Sequence, residues 1–220
     1  ANSVAFEAAE ELVRVVEKAT GARILTFSES ELKTDSKTFP ADCASKILVG
    51  DGNTVRKLGV DVSTLPPEGF VIKTLGRYLI LAGRDERHTD WLWRGHRQPI
   101  YKCGTWCAVC TFLEDFLGAR WLWPGELGEV VPDAKDIAID DTDRREAPAL
   151  AARVLRANCF YGGHWRGASL RLGLDSLEQF AMHQELVRWV DYQRLGTSLT
   201  LKSTEFGKRW LDAFAEEHPD

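Results

Sequence analysis

The sequence predicts an α/β fold of the α+β kind, a mixed sheet with helices packed on one face. Three stretches carry that reading. SVAFEAAEELVRVVEKAT, residues 3 to 20, places apolar residues at three- and four-residue intervals. GFVIKTLGRYLILAG, residues 69 to 83, sets two apolar runs on either side of a glycine-containing turn. Thr105 to Leu117 repeats the helical pattern, and short extended runs follow it. The resulting order is helix, strand, strand, helix, hairpin, helix, strands, which suits helices layered on one sheet.

In the first helix Phe6, Ala9, Val13, Val16 and Ala19 form the expected apolar face. Glu7, Glu10 and Glu11 sit toward the positive end of its dipole. Ser3 is placed to cap the start, and Gly21 supplies the left-handed residue that ends it. ARILTF (22 to 27) and KILVG (46 to 50) read as strands. The polar ESELKTDSKTFPADCA between them reads as a surface loop, and Asn53 to Leu58 as a short helix ending at Gly59. The hairpin turns at Leu75, Gly76 and Arg77. A loop rich in Arg, His and Trp precedes the helix of Thr105 to Leu117, which Gly118 closes. ARWLW, GEVV and DIAID are the short extended runs after it.

Past Ile139 the character changes. DDTDRREAP is a charged run closed by proline and reads as a linker. ALAARVLRAN reads as a new strand, without strand partners in the tail. LDSLEQFAMHQELVRWVDYQRLG, with Leu177, Phe180, Met182 and Leu186, reads as a long helix, and Glu205 to Glu217 as another. The expected division is an α/β domain over 1 to 140, a linker over 141 to 148 and the incomplete start of a second domain over 149 to 220.

Charge and hydropathy narrow the function classes. The chain has 28 basic and 33 acidic residues, a net charge of −5, and so lacks the basic footprint that nucleic acid requires. No stretch approaches the ~18 apolar residues of a membrane span. The chain opens on Ala1 without a charged-then-apolar leader, the start expected of a processed or excised polypeptide. Five cysteines is an odd number and fits no closed disulfide framework.

CGTWCAVC, residues 103 to 110, has a C-x3-C-x2-C spacing at Cys103, Cys107 and Cys110. Three thiolates so spaced can hold three irons of a four-iron cluster, and an iron–sulfur enzyme is one alternative. Cys107 and Cys110, however, lie three apart in a helical pattern. Cys110 shares its stripe with Trp106, Leu113 and Leu117, where a cysteine acts as a small hydrophobe. His88, His96, Cys103 and Cys107 are spaced unlike any closed structural zinc site. No metal and no cofactor are expected.

GTWCAVCTFLEDFLGARWLWPGELGEVVP, residues 104 to 132, is the most specific block in the chain. It resembles the end of the non-catalytic N-terminal α/β domain of family-67 α-glucuronidases. That domain also precedes the barrel in family-20 hexosaminidases and in a large group of related bacterial proteins. The matching residues are Gly104, Thr105, Phe112, Leu113, Glu114, Leu117, Gly118, Arg120, Trp121, Pro124, Gly125, Glu126, Gly128 and Glu129. KILVG, Leu58–Gly59, GFVIKT and LILAG fit the same domain in the same order, so the resemblance spans residues 3 to 139. Arg153, Val154 and Leu155 resemble the first strand of the following (β/α)8 barrel, and EEHPD a later barrel segment.

The resemblance implies an accessory domain of a carbohydrate-active enzyme from polysaccharide degradation, secreted or periplasmic. Its partners would be the remainder of a longer polypeptide and an oligo- or polysaccharide. The catalytic carboxylates of such enzymes lie on later barrel strands. The acidic pairs here, Glu126/Glu129, Asp140/Asp141 and Glu216/Glu217, read as turn, linker or surface chemistry, so no catalytic residue is expected. Trp91, Trp93, Arg94, His96 and Arg97 form the candidate sugar-contact loop, because indoles stack on sugar rings and guanidinium groups pair with carboxylates. The alternative is that this loop is the domain–barrel interface, where Trp and Arg are also favoured. Asn158, Tyr161, His164 and Trp165 follow the barrel-like strand, where such loops build sites. A free-standing carbohydrate- or protein-binding scaffold is the competing reading.

Overall fold

The computed structural model describes residues 3–33, 45–88, 100–150, 152–153, 185, 188–189, 191–194 and 196–197. The elements are α1 (Ser3–Thr20), α2 (Glu29–Lys33), β1 (Lys46–Val49), α3 (Asn53–Lys57), β2 (Phe70–Leu75) and β3 (Tyr78–Gly83). They continue with β4 (Asp85–His88), β5 (Ile100–Cys103), α4 (Gly104–Asp115), β6 (Arg120–Trp121) and β7 (Glu129–Val130). β8 (Asp143–Glu146), β9 (Ala152–Arg153) and β10 (Gly196–Thr197) complete the set.

The class is mixed α/β, as the sequence predicts. The main sheet has the order β1-β3-β2-β8, with β1 parallel to β3 and the other pairs antiparallel. The predicted hairpin is β2 and β3, in register from Phe70 opposite Gly83 to Leu75 opposite Tyr78. Its turn needs Gly76, whose φ is 56°. Strand residues alternate between two cores. Phe70, Ile72, Leu79 and Leu81 join the core under α1 and α4. Val71, Ile80 and Ala82 face the other way, onto Val55 of α3 and Val60, Val62 and Leu65. The two long helices thus share one face, and a short helix with its following loop closes the other.

α4 is buried on nearly every side, from Gly104 and Thr105 through Leu113. Its N-terminus is fixed by Asp85, which accepts from the Thr105 backbone N–H at 2.9 Å and from the Thr105 hydroxyl at 2.8 Å. At its other end Gly118 takes φ 78°, and Arg120 donates to the carbonyl oxygens of Glu114 and Ala119.

Several expected elements differ. The buried stripe of α1 runs through Val4, Ala8, Glu11, Leu12, Val15, Val16 and Ala19, so Val16 and Ala19 of the expected face are covered while Phe6 is 58% exposed. The expected face started from the largest residue, and the neighbouring sheet and α4 select the stripe turned away from it. ARILTF and DIAID are not strands. Ile24, Ile137 and Ile139 pack on the rim of the main core, but neither stretch has a strand to pair with among the described residues. The expected loop of 29 to 44 begins with α2, whose Glu29 accepts from the Asn53 and Thr54 backbone N–H groups.

The charged run expected as a linker contains β8, whose Asp143–Glu146 pairs with Phe70–Lys73. Charge is what an edge strand tolerates on its open side. The tail is not without strand partners either: β9 pairs antiparallel with β10. A (β/α)8 barrel pairs its strands in parallel, unlike this two-residue pair, and residues 154 to 184, where the next barrel elements would fall, lie outside the described residues.

The tail also supplies part of the main core. Tyr192 is 4% exposed there, stacked on Trp121 at 4.2 Å and on Trp106 at 5.8 Å between ring centroids. Trp189 and Gln193 both donate to the Trp121 carbonyl, and Trp106 donates to the Asp191 carbonyl. No helix among the described residues is long and apolar enough to cross a membrane.

Candidate functional site

The specific block of residues 104 to 132 builds the joint between α1, α4 and the tail. Glu129 accepts from Arg14 at 3.0 and 2.5 Å and from Lys18 at 2.6 Å. Burial alone would raise the Glu129 carboxyl, but the hydrogen bonds and charges of Arg14 and Lys18 outweigh it and hold it at about 2. The folded pKa is therefore depressed. The stability Glu129 contributes is complete above its ordinary value near 4.5 and is lost as pH falls toward 2. Glu129→Gln is expected to cost about 1 kcal/mol at pH 7, with the difference from the parent vanishing near pH 2. Urea unfolding at several pH values reads this directly.

Glu11, inside α1, is the partner of that joint. It is 4% exposed and accepts from Arg14 at 2.6 Å, Arg188 at 2.9 Å and the Tyr192 hydroxyl at 2.7 Å. Burial first, and then the Glu11 charge, push the Tyr192 phenol above its ordinary range. Sequence reasoning placed Glu11 only as a charge toward the positive end of the α1 dipole. The signal was available, since Val4, Ala8, Glu11, Val15 and Ala19 recur at four- and three-residue spacing.

Cys107 and Cys110 pack in the main core beside Phe112 and Leu113. Burial pushes the Cys107 thiol up to about 12, with Glu68 adding to it and Arg194 and Arg153 opposing it. Cys110 is raised well above its ordinary value for the same leading reason. Thiolates are the metal-binding and nucleophilic form, so these two positions suit packing. Neither is expected to react with a water-soluble thiol reagent in the native state, and both are expected to react once the chain is unfolded. Labelling followed by peptide mass mapping checks this. No group of three or more His, Cys, Asp and Glu among the described residues is arranged to hold a metal ion.

A cleft of about 360 Å³ opens between α4, β8 and the tail. Three arginines from separate elements line it, each on a carboxylate. Arg144 binds Asp115 at 2.8 Å and Glu146 at 2.6 Å, Arg194 binds Glu114 at 2.6 Å, and Arg153 binds Glu68 at 2.8 Å. Arg153 also donates to the Arg194 carbonyl. It thereby joins two non-glycine residues in left-handed backbone, Glu68 at φ 61° and Arg194 at φ 52°. Glu68 Oε2 and Arg194 Nη1 are buried without a hydrogen-bond partner among the described residues. Strained backbone and orphaned polar atoms persist only where the surroundings fix them. Sequence reasoning missed this cluster, because its members are far apart in the chain.

A second surface feature caps the same block. Leu122 is 68%, Trp123 65% and Leu127 100% exposed around the turn of Glu126–Gly128. The turn is tight: a Cβ on Gly128 would come 2.0 Å from the Trp123 carbonyl oxygen. The candidate sugar-contact residues Trp91, Trp93, Arg94, His96 and Arg97 lie outside the described residues, in the segment between β4 and β5. Asn158, Tyr161, His164 and Trp165 lie outside them as well.

Comparison with protein-family models, with curated proteins and with solved structures gives no match for this chain.

Proposed function

We propose that this chain is a non-catalytic accessory α/β module of a larger carbohydrate-active polypeptide, working outside the cytoplasm. The observation that supports it is the employment of residues 104 to 132. Thr105, Phe112, Leu113, Glu114, Trp121 and Glu129 are occupied in capping, core packing or ion pairs. The tip of the block, Leu122, Trp123 and Leu127, is left as an apolar ledge. A ledge of that kind on an otherwise internally paired body is a contact surface, and the occupant we assign to it is the remainder of the same polypeptide. It continues the surface on which the tail already docks, since Trp121 receives Trp189, Tyr192 and Gln193.

Chemistry at the acidic pairs is not part of this reading. Glu129 is neutralised by Arg14 and Lys18, so it is poorly placed to serve as one of two carboxylates across a glycosidic bond. The test is turnover of chromogenic glycosides and uronides by the purified 220-residue chain. The expected result is none. Turnover that co-purifies with the chain and is lost on substituting one of its acidic residues would overturn the proposal.

A further inference from the structure

We infer that the cleft between α4, β8 and the tail is a binding site for a neutral sugar ring. Its charge pairing decides the ligand class. Arg144, Arg153 and Arg194 are each held by a carboxylate of this chain. The lining sets these three guanidinium groups beside three carboxylates, Glu114, Asp115 and Glu146, so it carries no net charge to draw an ionic ligand. A neutral polyol suits such a lining.

The hydrogen-bonding capacity left over fits hydroxyl groups. Glu114, Asp115 and Glu146 each use one oxygen on an arginine, through Oε2, Oδ2 and Oε1 respectively. The second oxygen of each makes no hydrogen bond to the described residues. A half-used carboxylate is an acceptor for a hydroxyl donor, and its arginine strengthens its hold in place. The Thr111 hydroxyl, also on the lining, supplies both a donor and an acceptor. Phe70, Ala147 and Pro148 give the cleft an apolar wall for the C–H face of a ring. A cleft of about 360 Å³ lies at the small end of the range for small-molecule sites, roughly 300–1,000 Å³. The strained Glu68 and Arg194, linked through Arg153, hold one end of the lining in a fixed shape.

This inference rests on the accessory-module reading only for choosing sugars among neutral polyols. The experiment is a titration of the 220-residue chain with glucose, xylose, galactose and N-acetylglucosamine, followed by saturation-transfer NMR and calorimetry. Glucuronate and inorganic phosphate are the charged comparisons. At least one neutral sugar is expected to saturate with a dissociation constant on the order of 1 mM, a modest affinity for an open cleft. Asp115→Asn and Glu146→Gln are each expected to weaken it at least about fivefold, since hydroxyl-to-carboxylate hydrogen bonds are charge-assisted. Both side chains are partly exposed, at 44% and 42%, so these variants are expected to fold. Thr111→Val serves as a further probe from a different element position. Trp123→Ser, on the ledge, is expected to leave binding unchanged.

Absence of saturation by all four sugars at about 100 mM overturns the site, because binding weaker than that is no recognition. Binding indifferent to both carboxylate variants overturns it as well, and so does saturation by glucuronate or phosphate alone. None of these outcomes touches the accessory-module proposal, which stands or falls on turnover and on the larger polypeptide.

Discussion

Tyr192→Ala is expected to lower the stability of the whole body by about 3–5 kcal/mol, the range for deleting a large buried aromatic side chain. The ring lies between Trp121 and Trp106, so its removal opens a cavity in the centre of the main core. The hydroxyl is a second loss, because it donates to a carboxylate that is itself buried. Tyr192→Phe keeps the ring and removes only that bond, and about 1–3 kcal/mol is expected for it. In a chain of this length the alanine variant should melt roughly 10 °C lower or more. The transition should remain single, because α1, α4 and the tail share one core. A chain cut at residue 148 loses Trp189, Tyr192, Gln193 and Arg194 together and is not expected to fold cooperatively. Thermal melts followed by near-UV circular dichroism distinguish these cases. A tail that was only the start of another domain would leave the melting temperature of residues 1–148 unchanged.

Gly83→Ala carries the second large effect. β3 ends at Gly83 where α4 begins, and the two backbones touch. A Cβ at Gly83 would come 2.0 Å from the Gly104 carbonyl carbon and 2.4 Å from the Thr105 nitrogen. Those are backbone atoms of a helix start, fixed by Asp85 and by the Gly83 N–H donating to Thr105 Oγ1. No rotamer change relieves the clash, so strand and helix must separate. A loss of about 3 kcal/mol or more is expected, at the top of the range for overpacking. Gly104→Ala meets the Gly69 carbonyl oxygen at 2.4 Å and should behave alike. Gly76→Ala is the contrast, with nothing within 4 Å and only its φ of 56° to oppose it. About 1–2 kcal/mol is expected there. Chemical denaturation of the three variants gives the comparison.

What could be read from the sequence followed locality. The hairpin of Phe70–Gly83 is written in consecutive residues with its glycine turn, and it is found where expected. α4 is likewise local, and its apolar content correctly signalled burial. β8 was hidden because its residues, Asp143–Glu146, are all charged; its strand character comes from the edge of β2. ARILTF failed in the opposite sense: it has strand-like residues but no neighbour to pair with. The face of α1 was misjudged because Phe6 outweighed the smaller Val4, Ala8 and Val15 in reading periodicity, while only tertiary packing fixes which stripe is covered.

The cleft was the least legible feature. Phe70, Asp115, Glu146, Arg153 and Arg194 come from positions up to about 120 residues apart, and their pairing is decided by the β2–β8 register and the docking of the tail. Trp91, Trp93, Arg94, His96 and Arg97 were chosen for sugar contact on side-chain type, and Asn158, Tyr161, His164 and Trp165 on their place after a barrel-like strand. Half-used carboxylates beside arginines have no sequence signature.

The accessory-module reading is tested most directly by the intact mass of this protein isolated from its native source, together with oxidative footprinting of Trp123. The expected result is a polypeptide far heavier than the 24.7 kDa of this chain, with Trp123 protected there and labelled in the isolated chain. A native mass near 24.7 kDa with Trp123 fully labelled would contradict it and leave a free-standing binding scaffold in its place.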